Sequence, residues 1–147
     1  MSYDVREVET PGQPTAVAVR ATTWEAYPAL WPQLLETVWA AVRSNDEITP
    51  NRNVMLYNDD VPNVEVGVEV GAPFPAQGEV VSSTLPAGRA AATTHRGRYE
   101  ELGSAHRAII EWCSRNGLER LGPRWEVYGH WRDGSADQEV EVYYLVR

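Results

Sequence analysis

Glu126 has the strongest claim to chemistry in this chain. It stands in Arg124-Trp125-Glu126-Val127-Tyr128, a run rich in strand formers. Alternate residues of a strand face opposite ways. Glu126, Tyr128 and His130 are therefore expected on one face, and Trp125, Val127 and Trp131 on the other. A carboxylate between apolar neighbours is costly unless something pairs with it. Water on a wet face, an arginine or a cationic ligand could serve, and the spacing alone leaves all three open. A cationic ligand is the expected partner.

Other residue types offer less. His95, His106 and His130 show no metal-ligand spacing, so no metal is expected. Cys113 and His106 lie seven residues apart on one expected helix, too far for a nucleophile and its base. Cys113 reads as a small core residue. Ser82-Ser83-Thr84 has no nearby base. No glycine pattern cradles phosphate, and no cofactor is expected.

The chain has 147 residues and a formal net charge of −8, with 13 arginines and no lysine. That length suits one domain, residues 1–147. An acidic chain without a basic cluster argues against nucleic acid and suits cationic small molecules. No apolar run is long enough to span a bilayer, and the N-terminus is polar from Ser2 onward. A single cysteine excludes an internal disulfide, so a reducing cytoplasm is expected. Six Trp and seven Tyr stand against one Phe, which suits a pocket for planar or cationic compounds.

The elements that must position Glu126 follow from periodicity and punctuation. Strands are expected at Val5–Glu9, Thr15–Ala21, Asn53–Tyr57, Val64–Val70, Glu79–Ser82, Arg89–Thr94, Trp125–Trp131 and Glu139–Val146. Helices are expected at Gln33–Arg43, with Pro32 at its first position, and at Tyr99–Asn116, with Gly117 as C-terminal cap. Gly122-Pro123 should stop whatever precedes the Glu126 strand, and Asp133-Gly134-Ser135 should turn the chain after it. Trp39 and Trp112 lie in the helices and read as core. Trp24 and Trp31 lie in the proline-interrupted stretch before the first helix, where function and packing are both open.

The same order of elements occurs twice. The offset of 72 residues that carries Tyr27 onto Tyr99 also carries Glu7-Val8 onto Glu79-Val80 and Val68-Glu69-Val70 onto Val140-Glu141-Val142. In all it gives about a dozen identities over about 75 positions, where about four or five are expected by chance. The chain thus reads as α+β, with tandem βαββ units at about 1–71 and 73–147. Each unit forms an antiparallel sheet with one helix, and the two enclose a central ligand cleft. At this offset Glu126 falls on Val54, so one unit alone carries the acid. Glu69 and Glu141 occur in both units and read as scaffold or solvent-facing charges. Tyr27 and Tyr99 are equivalent and read as either structural or cleft-lining.

This pattern resembles the GyrI-like small-molecule-binding domain, which is also the effector-binding domain of multidrug-sensing MerR- and AraC-type regulators. The resemblance rests on the two βαββ units, Gly122-Pro123-Arg124-Trp125-Glu126-Val127-Tyr128, Leu85-Pro86-Ala87-Gly88-Arg89 and the closing Glu141-Val142-Tyr143-Tyr144-Leu145-Val146. It implies a central glutamate, Glu126, in an aromatic cleft that takes lipophilic, often cationic drugs. Tyr128 would line the cleft, with walls from Tyr27, Trp31, Tyr99 and Tyr143. The chain begins at the effector domain without a helix-turn-helix, so direct control of transcription is not expected of it. Some stand-alone members hydrolyse strained cyclopropane rings.

Two function classes follow. The first is a binding module that senses or sequesters aromatic cations. The alternative is a hydrolase that opens strained rings of electrophilic natural products, with Glu126 as general base and a tyrosine donating to the leaving oxygen. The expected partner is a small molecule, with no nucleic acid or membrane. A protein partner in a gyrase-like or regulatory complex is a third reading that no motif indicates.

Overall fold

The computed structural model describes residues 3–130 and 138–147. Trp131 and the turn expected at Asp133-Gly134-Ser135 lie outside the described residues. The elements in chain order are β1 (Arg6–Pro11), β2 (Pro14–Ala21), α1 (Tyr27–Arg43), β3 (Pro50–Tyr57), β4 (Asn63–Val70), β5 (Val80–Thr84), β6 (Ala87–Gly97), α2 (Leu102–Arg115), β7 (Arg120–Tyr128) and β8 (Gln138–Val146). A single 3-10 turn, Tyr99–Glu101, leads into α2.

The two expected sheets are one. Eight antiparallel strands run in the order β1-β6-β8-β7-β3-β4-β2-β5. The junction is the β3–β7 ladder, from Asn53 opposite Tyr128 to Tyr57 opposite Arg124. Left apart, β3 and β7 would each present a bare edge of N–H and C=O groups, and pairing satisfies both. Exchanging β1 with β5, β2 with β6, β3 with β7 and β4 with β8 reads the strand order backwards.

Residues opposite each other in a ladder share a face. Met55 lies opposite Glu126, and Glu126 opposite Val142. That face carries both helices. α1 packs Leu34, Val38 and Val42 onto the even-numbered valines of β4 and onto Ala16 and Ala18 of β2. α2 packs Ala105, Ile109 and Cys113 onto Val140, Val142 and Val146 of β8. The opposite face holds a smaller core of Val54, Leu56, Ala90, Trp125 and Val127. β2 and β4 approach so closely that a Cβ on Gly67 would lie 1.9 Å from the Ala16 carbonyl oxygen.

Most bounds shift by up to about three residues from expectation, α2 among them because Tyr99–Glu101 is a 3-10 turn, and two shift further. α1 begins at Tyr27, not after Pro32. Pro28 sits in its first turn, where an N–H has no helical partner, and Pro32 forfeits only one bond near the same end. β7 begins at Arg120, so Gly122-Pro123 does not stop the strand. The register against β8 shifts between Arg120 and Arg124, and Gly122 takes φ +114 inside that bulge. The end of α2 is as expected. Gly117 at φ +66 lets Leu118 N–H reach the Cys113 carbonyl at 3.0 Å.

Candidate functional site

The central ladder of β3 and β7 forms the base of a cavity of about 370 Å³ between α1 and α2. Helical spacing brings Tyr27, Trp31 and Leu35 of α1 onto one wall. Tyr99 of the 3-10 turn and Leu102 of α2 form the other. Strand alternation aims Asn53, Met55 and Tyr57 of β3, with Glu126 and Tyr128 of β7, at the base.

Glu126 is 4% exposed and fully hydrogen-bonded. Its Oε1 accepts the hydroxyls of Tyr57 and Tyr128, each at 2.8 Å. Its Oε2 lies 2.6 Å from His106 Nε2, and His106 Nδ1 lies 2.7 Å from the Tyr144 hydroxyl. Among the described residues no arginine reaches it. Two phenols and an imidazole hold it instead, because cross-strand and helix-to-sheet neighbours converge on one spot. Charge-assisted bonds of this kind offset the cost of burying a carboxylate.

Burial, followed by the charge of Glu126, drives the Tyr57 and Tyr128 phenols far above the ordinary tyrosine range. Burial also raises Tyr27 and pushes Tyr144 up to about 12. These hydroxyls therefore stay protonated as donors. Tyr27 is buried with its ring edge-on to Tyr57 at 5.5 Å. Its hydroxyl is the one buried side-chain polar atom among the described residues without a hydrogen-bond partner.

Five of the six residues singled out from the sequence meet here: Glu126, Tyr128, Tyr27, Trp31 and Tyr99. Tyr99 stands T-shaped to Tyr128 at 5.6 Å. The sixth, Tyr143, does not reach the cavity. It lies opposite Trp125 in the ladder, on the other face of the sheet, stacked on that indole at 5.2 Å. Its hydroxyl donates to Glu141 at 2.6 Å. His130 lies beyond β7, exposed beside Asn51. Val54 is not the counterpart of Glu126, because it points to the opposite face from Met55. One residue of slip in an ungapped comparison reverses the face.

His106, Tyr57 and Tyr144 were missed. A histidine inside the apolar stripe of α2 was the one available signal. His95 is fully buried between the Tyr3 hydroxyl and the Arg98 carbonyl, each at 2.8 Å. Cys113 is buried in the α2 core as expected. Glu69 and Glu141 share one guanidinium, Arg52, at 2.9 and 3.0 Å. They are scaffold, but Glu69 is buried and does not face solvent. A second cavity of about 600 Å³ is lined by Tyr144 with Asp60, Cys113, Arg120 and Arg124, and shares no lining residue with the first. Among the described residues no cluster of His, Cys, Asp and Glu could hold a metal. No described helix is long and apolar enough to cross a membrane.

The GyrI-like small molecule binding domain family matches residues 3–147. The fold is similar to the EcmrR C-terminal domain, with a TM-score of 0.83 at 21% identity over 100% of this chain and 99% of that one. It is also similar to SAV2435 bound to tetraphenylphosphonium, with a TM-score of 0.64 at 11% identity over 100% and 94% of the two chains. A hydrolase of Listeria innocua encoded by lin2189 gives a TM-score of 0.65 at 9% identity over 98% and 92%. No curated protein matches the chain.

Proposed function

The chain belongs to the GyrI-like family of small-molecule-binding domains, and on that premise we propose that it binds lipophilic aromatic cations between α1 and α2, as a sensor or sequestering module. The observation that carries the reading is a buried carboxylate at the base of an aromatic-walled cavity, held by phenols and an imidazole and, among the described residues, by no arginine. Tyr27, Trp31, Tyr99 and Tyr128 supply faces for a delocalised cation, each contributing about 0.5–2 kcal/mol. Glu126 supplies the opposite charge. The Tyr27 hydroxyl, buried and without a partner, supplies a polar contact. The volume suits a small aromatic ligand. Tetraphenylphosphonium, the ligand in the SAV2435 structure, is the natural probe.

The palindromic strand order supports reading residues of about 1–71 and 73–147 as copies of one unit. The site then lies on the seam between them, and only the second copy provides an acid.

Tryptophan fluorescence titration with tetraphenylphosphonium and with tetraphenylborate separates charge from shape. The two ions have nearly the same size and opposite charge. Tighter binding of the phosphonium is expected. Equal affinities would show that the acid plays no part in recognition.

The second reading, a strained-ring hydrolase, draws on the 2.8 Å contact between Glu126 and Tyr128, which sets a base beside an acid. Three donors already occupy the Glu126 oxygens, which weakens that base and favours binding. A cyclopropane-bearing electrophile that yields no ring-opened product above the buffer control would reject the hydrolase reading for that class.

A further inference from the structure

The hydrogens around Glu126 are constrained by chemistry. An ionised carboxylate only accepts, so Tyr57 and Tyr128 both spend their protons on Oε1. His106 Nε2, at 2.6 Å from Oε2, must carry a proton as well. His106 Nδ1 is different. It faces the Tyr144 hydroxyl at 2.7 Å, and a hydroxyl can donate or accept. A neutral imidazole takes the Tyr144 proton into its Nδ1 lone pair. An imidazolium donates from Nδ1 to the Tyr144 oxygen, and the Tyr144 hydrogen turns toward the second cavity, which Tyr144 lines. One set of heavy-atom positions therefore serves two states that differ by a single proton.

The surroundings leave this balance to His106 and Glu126. Tyr57 on β3, Tyr128 on β7 and Tyr144 on β8 are all held protonated by burial. Tyr27 and Tyr99 face Glu126 across the cavity. On the side of the second cavity stand Asp60, Cys113, Arg120 and Arg124. Arg124 is paired with Asp60 at 2.8 Å, away from the imidazole. His106 is thus the group in hydrogen-bond contact with Glu126 that can carry a positive charge.

We propose that His106 is the built-in counter-cation of Glu126, and that a cationic ligand binds by exchange for its proton. When a cation enters the cavity, the Nδ1–H bond of His106 breaks. Its proton passes to the Tyr144 oxygen as the Tyr144 proton leaves into the second cavity. One positive charge arrives on one side of the network and one departs on the other, so the charge next to the carboxylate is conserved. The exit does not run through the space that the ligand fills. The consequence is selectivity by charge and by pH. Cations bind more tightly as pH rises, because fewer protons then compete for the carboxylate, while neutral ligands of the same shape do not respond. This inference rests on the cation-binding reading above.

The test uses tetraphenylphosphonium, a permanent cation that does not titrate. Calorimetry in buffers of different ionisation enthalpy counts the protons released on binding. Release approaching about one proton per ligand is expected wherever His106 carries the proton, with affinity there rising by up to about tenfold per pH unit. His106→Gln, which keeps a donor toward Glu126, should bind with no proton release and a flat profile. Binding to the parent protein with no proton release and a flat profile overturns the exchange while leaving cation binding intact. A pH slope that persists in His106→Gln overturns it too. Absence of phosphonium binding at any pH overturns the cation reading and the exchange with it. The parent measurement alone decides if the variant does not fold.

Discussion

Glu126→Gln should leave the fold standing and remove most of the affinity for cations. The amide oxygen can still accept Tyr57 and Tyr128, which now meet Oε1 at 2.8 Å. The amide nitrogen can donate to His106 Nε2 if the imidazole takes the tautomer with its proton on Nδ1, facing Tyr144. Every partner stays satisfied, so the cost is the difference between charge-assisted and neutral bonds, about 1 kcal/mol for each of three. Relief of burying a charge offsets that loss, and net stability should change by less than about 2 kcal/mol. Binding is another matter. A cation about 5 Å from the carboxylate gains about 3 kcal/mol at an effective dielectric of about 20, which is about two orders of magnitude in affinity. The aromatic walls are untouched, so a neutral ligand should bind both proteins alike. Thermal unfolding by circular dichroism and quenching of tryptophan fluorescence by tetraphenylphosphonium measure the two halves of the claim. If Glu126→Gln folds and binds the phosphonium as tightly as the parent, the carboxylate is not the recognition group.

Three further outcomes follow from the same geometry. Tyr27→Phe removes a buried hydroxyl without a partner; thermal stability should hold or rise by up to about 1 kcal/mol, while ligands with a hydrogen-bond acceptor bind less well. Tyr27, Tyr57, Tyr128 and Tyr144 are all held protonated in the fold, whereas the unfolded chain ionises its tyrosines near pH 10. Their contribution is therefore complete below about pH 10 and lost above it, by about 1.4 kcal/mol per tyrosine per pH unit. Tyrosinate absorbance should appear together with loss of the circular dichroism signal, and tyrosinate forming in a chain that stays folded would contradict the burial. Arg52→Ala strands the buried Glu69 carboxylate, which Arg52 contacts at 2.9 Å; a loss of about 3 kcal/mol in urea unfolding is expected, and Arg52→Ala with Glu69→Gln should recover part of it.

Much of this was legible in the sequence, for reasons tied to particular residues. Glu126 stands out because a carboxylate inside Trp-Glu-Val-Tyr has to be accounted for wherever the strand packs. Alternation places Tyr128 beside it, and the family resemblance, not a helical stripe, pointed to Tyr27, Trp31 and Tyr99, because α1 was expected only from Gln33. What sequence periodicity does not carry is register. Tyr143 and Tyr144 are adjacent, and only the pairing of β7 with β8 decides that Tyr144 joins the Glu126 network while Tyr143 stacks on Trp125. The comparison of Glu126 with Val54 failed in the same way, by one position. His106 stayed hidden because its partner comes from a strand 20 residues away. The single sheet was hidden because the β3–β7 ladder joins the two halves of the chain, and no local pattern announces such a junction.

The margins of the sheet bear on how the cavity can adapt. β1 from the first half borders β6 of the second, and β5 from the second borders β2 of the first. The halves are thus laced together at both selvedges as well as along the middle. Prising them apart would tear three hydrogen-bonded ladders at once. The helices have no such lacing, since side chains alone rest them on the strands beneath. On the binding reading proposed above, guests of different girth would be accommodated by tilting the walls over the paired strands, with Glu126 kept at one depth.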